Sequence, residues 1–79
     1  MEKQQAQELI AKALEQVRKK PVEFTEQTHL VDDKILDSLD RALFFFELEN
    51  LAGISIPDEK IAVGDLFSIA NLYKFLGEV

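Results

Sequence analysis

Ala6, Leu9, Ile10, Ala13, Leu14 and Val17 recur at spacings of three and four, which places them along one face of a helix. Glu2 near its start and Arg18, Lys19 and Lys20 near its end match the polarity of a helix dipole, and Pro21 opposes continuation. From Pro21 to Asp37 the period is lost. Thr25, Gln27, Thr28, Asp32 and Asp33 make this a polar connection, and one this long is uncommon unless functional or anchored. Its apolar residues, Phe24, Leu30, Ile35 and Leu36, are expected to pin it across the bundle.

A second helix is predicted from Asp37 or Ser38 to about Leu51, with either of the first two side chains as its cap. Asp40 lies in its first turn and Gly53 just past its end. Ile54-Ser55-Ile56-Pro57 reads as an extended link. Pro57, Asp58 and Glu59 open a short third helix that ends near Gly64. Ser68 caps a last helix carrying Ile69, Leu72, Tyr73 and Leu76 on one face, with Gly77 at its end. Strand alternation is absent. The expected fold is all-α, a single domain over residues 1–79, with three main helices, one short helix and a long loop between the first two.

The second helix is apolar on more than one side. Phe44, Leu48 and Leu51 share a face, and Phe45 is expected to point inward with them. Leu39, Leu43 and Phe46 lie on the other side. They form either an exposed stripe that contacts a partner or a surface covered by the long loop.

Composition narrows the function. Nine Lys and Arg stand against fifteen Asp and Glu, a net charge of -6, which argues against a nucleic-acid binder and suits partners with basic patches. No window approaches the roughly 20 apolar residues of a membrane span, and the N-terminus lacks the apolar run of a signal peptide. A cytoplasmic monomer without membrane insertion is expected. Cysteine is absent, so any thiol chemistry needs an attached thiol. The one histidine, His29, reads as an ordinary loop residue, and Arg18, Lys19 and Lys20 as helix-end charges. Asp32, Asp33 and Asp37 lack a recognised ligand spacing, so no metal site is expected. No paired acid and base, nor any base for a serine nucleophile, suggests an enzyme.

At Leu36-Asp37-Ser38-Leu39-Asp40 the chain resembles the acyl carrier protein family, whose signature is Asp-Ser-Leu at the start of the second helix. Leu48-Glu49 followed by Gly53-Ile54-Ser55-Ile56-Pro57-Asp58-Glu59 looks like the family's passage out of that helix. Ser68-Ile69 with Leu72 looks like the start of its last one. The likeness runs from about Ile35 to Leu76. It implies that a phosphopantetheinyl transferase places 4'-phosphopantetheine on Ser38, within the motif residues Asp37 and Leu39, and that acyl-loading and acyl-using enzymes are the further partners. A helix N-terminus favours the resulting phosphodiester. The resemblance also implies docking through the second helix, here Leu39, Asp40, Leu43, Phe46, Glu47 and Asn50. Leu43 and Asn50 stand where the family often has Glu, and Arg41 adds a positive charge, so a specialised lipid or secondary-metabolite pathway is expected rather than general fatty-acid synthesis. For Phe44 and Phe45 a packed aromatic core is expected, with an acyl-sheltering cavity as the alternative. The competing function is a non-covalent helical interaction module without the arm.

Overall fold

The first amphipathic segment forms α1 (Lys3–Arg18) in a computed structural model that describes residues 1–78. Ala6, Ile10, Ala13 and Leu14 are its buried residues, while Leu9 and Val17 flank them half-buried. The helix ends before Pro21 acts. Lys19 turns left-handed (φ 61°) and its N–H donates to the Glu15 carbonyl at 2.8 Å.

The connection to the second helix is long but anchored. Leu30 and Leu36 enter the core, whereas Phe24 and Ile35 are only partly buried. Backbone bonds add a second anchor that periodicity does not reveal. Leu30 N–H donates to the Phe67 carbonyl at 2.7 Å, and Ile69 N–H donates to the Thr28 carbonyl at 3.0 Å. His29 and Ser68 pair between them as an isolated antiparallel bridge. His29 is more than an ordinary loop residue. Its Nδ1 accepts the N–H of Val31 (3.3 Å) and of Asp32 (3.0 Å), and its own N–H donates to Asp33 Oδ2 (2.9 Å).

α2 runs from Ser38 to Ala52, and Gly53 ends it in a left-handed conformation (φ 67°) that costs glycine little. Its buried residues are Phe44, Phe45 and Leu48. Leu51, expected in the core, is 39% exposed instead. The helical wheel explains this correction. Phe45 lies roughly 100° and Leu48 roughly 40° round from Phe44, so the buried arc is centred roughly 45° from Phe44, and Leu51 falls roughly 20° away on the opposite side. Including Phe45 in the core rotates Leu51 towards the rim.

α3 (Asp58–Val63) buries none of its residues. Gly64 (φ 82°) turns the chain into a 3-10 turn, Asp65–Phe67, which was not anticipated and which delivers Leu66 and Phe67 to the core. α4 (Ile69–Gly77) buries Ile69, Leu72 and Leu76, and its first turn is capped by Ser68, whose hydroxyl accepts the Asn71 N–H at 3.4 Å. The described residues thus form four α-helices and no strand. Phe44 and Phe45 stand 5.4 Å apart between ring centroids, and Phe45 and Phe67 5.2 Å, both pairs tilted. These buried rings pack α2, through its middle, against the 3-10 turn. No helix among the described residues is long and apolar enough to cross a membrane.

Candidate functional site at the start of α2

Ser38 is the first residue of α2, and Asp37 positions it. Asp37 adopts an extended backbone (φ -85°, ψ -175°), and its Oδ1 accepts the N–H of Leu39 at 3.0 Å and of Asp40 at 2.9 Å. Such a cap contributes about 1 kcal/mol. The choice between Asp37 and Ser38 as cap is thereby decided for Asp37, and the Ser38 hydroxyl is left exposed with no partner among the described residues. The same geometry narrows one expectation. Of the N–H groups at the helix N-terminus expected to favour a phosphodiester, those of Leu39 and Asp40 are taken by the Asp37 carboxylate, the Arg41 N–H donates to the Asp37 carbonyl at 3.2 Å, and the Ser38 N–H keeps no partner among the described residues.

Around Ser38 the surface is basic, although the chain is acidic. Arg18, Lys34 and Arg41 line one open depression together with Val31, Leu36, Asp37 and Ser38. Arg18 was expected to serve only as a helix-end charge. It reaches across instead, and its Nη1 donates to Asp40 Oδ2 at 2.7 Å. Lys34 sits in a left-handed conformation (φ 60°) just before the helix, separated from it by Ile35, Leu36 and Asp37, and Arg41 lies about one helical turn after Ser38. The larger depression between α1 and the loop, lined by Gln7, Ala11, Val22, Phe24 and Thr28, includes no residue of α2.

The outward side of α2 carries Leu39, Leu43, Phe46 and Asn50. Leu39 is 79%, Leu43 53% and Phe46 59% exposed. The long loop therefore does not cover the stripe. Glu47 flanks it half-buried, and Asn50 continues it exposed. Asp40 is on the same helix but already engaged by Arg18. Glu49 faces the chain's return, where one carboxylate oxygen accepts the buried Ile56 N–H at 2.6 Å.

No set of three or more His, Cys, Asp or Glu residues among those described is placed to hold a metal. Asp33 and Asp37, the acidic residues weighed for that role with Asp32, hold backbone N–H groups. Sequence reasoning singled out Ser38, Asp37 and the stripe but neither Lys34 nor Arg41 as a neighbour of Ser38. Arg41, three residues after Ser38, was within reach of helical spacing. Lys34 was not, because a left-handed turn has no periodic signal. Compared with family models, with curated proteins and with solved structures, the chain finds no match.

Proposed function

We propose that the protein is an acyl carrier, not an enzyme, and that Ser38 is the serine to which 4'-phosphopantetheine is attached. The observation that carries the reading is the exposed, unbonded Ser38 hydroxyl on the first residue of α2, with Asp37 holding the turn and Leu39 standing outward beside it. The two other serines are placed differently. Ser68 caps α4, and Ser55 lies on the extended link after α2.

In the attachment, Ser38 Oγ forms a bond to the phosphorus of coenzyme A nearest the pantetheine. The bond from that phosphorus to the nucleotide breaks, 3',5'-ADP leaves, and the hydroxyl proton passes to a base of the transferase. The chain itself offers no such base at Ser38, since its single histidine uses Nδ1 within its own loop. The attached arm supplies the thiol that the cysteine-free chain lacks, and that thiol carries an acyl group as a thioester. The role of this chain's residues is to present the serine and to be recognised. Leu39, Leu43, Phe46 and Asn50 form the outward face, with Glu47 at its edge, and a contiguous exposed apolar patch marks an interaction site. A face so poor in carboxylates suits a dedicated loading or acyl-using enzyme in a specialised lipid or secondary-metabolite pathway. A cytoplasmic monomer fits that role.

The test incubates purified protein with coenzyme A, magnesium and a broad-specificity phosphopantetheinyl transferase and records intact mass, with Ser38→Ala as control. The reading expects the gain of one phosphopantetheine, lost in the control. No gain with several transferases on folded protein would instead favour a non-covalent module that uses the same outward face.

A further inference from the structure

Arg41 occupies an unusual place for a charged residue. It falls inside the buried arc of α2, roughly 60° round from Phe44. Its guanidinium carbon lies 6.0 Å from the Phe67 ring centroid, and its Nε is buried with no hydrogen-bond partner among the described residues. A buried donor on a charged group carries a desolvation cost when unpaired. Lys34 lines the same depression, held there by its N–H donating to the Val31 carbonyl at 3.0 Å, and its ammonium forms no ion pair among the described residues. The third cation, Arg18, is answered by Asp40. Two uncompensated cations therefore stand beside Ser38 in a chain of net charge -6. The Asp37 carboxylate faces them but is directed into the helix end, where it occupies the N–H groups of Leu39 and Asp40. With the Leu39 and Asp40 N–H groups taken, an anion on Ser38 Oγ is left the Ser38 N–H and the side chains that line the depression.

We propose that Arg41, through its guanidinium, and Lys34, through its ammonium, bind the phosphodiester oxygens of the arm on Ser38. This rests on Ser38 being the carrier serine. Arginine's planar fork matches phosphate oxygens, and lysine serves as a point charge. The clamp holds the first segment of the arm in the notch between α2 and the turn before it and leaves the distal thiol free. It also has a thermodynamic sign. Adding negative charge beside Asp37 and Asp40 would ordinarily lower the stability of an acidic protein, whereas a clamped phosphodiester raises it.

The test compares unmodified and modified protein for wild type, Arg41→Gln and Lys34→Gln, with each modified state verified by intact mass. Modification of wild type is expected to raise Tm by roughly 4–8 °C at low salt, with the rise shrinking at high salt, and to shift the Arg41 Nε–H resonance in the NMR spectrum. Both variants are expected to gain the same mass and to lose most of the rise. Modified wild type that melts no higher than unmodified protein, with Nε–H unmoved, overturns the clamp, as does a rise that survives both substitutions. Should a variant not fold, the salt dependence and the Nε–H shift of wild type decide alone. Mass gain without these changes overturns the clamp and leaves the carrier reading standing. No mass gain on wild type overturns both.

Discussion

Arg18 and Asp40, 22 residues apart, join the last turn of α1 to the first turn of α2 through a hydrogen-bonded ion pair of 2.7 Å. Each residue also answers the dipole of its own helix, a cation at the C-terminus and an anion at the N-terminus. With side chains 33% and 14% exposed, the pair is sheltered enough to matter. A double-mutant cycle of Arg18→Gln and Asp40→Asn is expected to give a coupling of about 1 kcal/mol by urea unfolding, falling in high salt. Zero coupling would mean that the pair does not hold the two helices together. A loss of transferase activity in Asp40→Asn has to be compared with this stability effect before it is assigned to docking.

Lys19 ends α1 in a conformation that glycine adopts at little cost and lysine does not. Lys19→Gly is expected to stabilise the protein by about 0.5–1 kcal/mol in the same unfolding assay, the relief of strain exceeding the extra entropy of the unfolded chain. A variant less stable than wild type would show that the Lys19 side chain contributes a contact worth more than the strain.

The outward stripe predicts a separation of stability from partner recognition. Leu43→Ser and Phe46→Ser remove apolar groups that are more than half exposed, so each is expected to change unfolding free energy by no more than about 0.5 kcal/mol. If the protein is the proposed acyl carrier, the same variants are expected to lose acyl transfer by a loading enzyme while still accepting phosphopantetheine on Ser38. Unimpaired loading of both would remove the stripe from the docking surface.

Tyr73, on α4, has its phenol pushed above the usual value of 10.0 because partial burial disfavours the phenolate. The folded protein therefore holds that proton to higher pH than the unfolded chain does. Stability from this group is complete below about pH 10 and declines as pH rises through the folded-state value. Tyr73→Phe should flatten the decline in an alkaline unfolding series while keeping an aromatic ring for Lys3 Nζ, which lies 5.4 Å from the Tyr73 ring centroid. A decline of equal slope in the variant would trace it to other groups.

Much of this was legible in the sequence because the helices are amphipathic and their ends carry strong signals. Ala6 to Val17 reads as one face, Asp37 as a cap, Gly53 as a stop and Ser68 as a second cap, and each signal is local. What could not be read depends on contacts between distant segments. The 3-10 turn at Asp65–Phe67 has too few residues for a period, yet it places Phe67 under Arg41 and supplies the carbonyl that anchors Leu30. Leu51 was misplaced because three adjacent phenylalanines leave the direction of the core undetermined until Phe67 selects Phe45. The basic depression beside Ser38 draws Arg18, Lys34 and Arg41 from three separate segments. Only the fold brings them together, and only the fold shows that Asp37 holds the Leu39 and Asp40 N–H groups at the helix end.

The central claim concerns one hydroxyl, and the most direct measurement locates the modification on the chain. Protein purified from the cells that naturally make it would be digested, and the peptides containing Ser38, Ser55 and Ser68 fragmented in a mass spectrometer. The account predicts phosphopantetheine on the Ser38 peptide, with pantetheine ejected on fragmentation, and bare peptides at the other two serines. An unmodified Ser38 across growth conditions, or the group on Ser55 or Ser68, would contradict it.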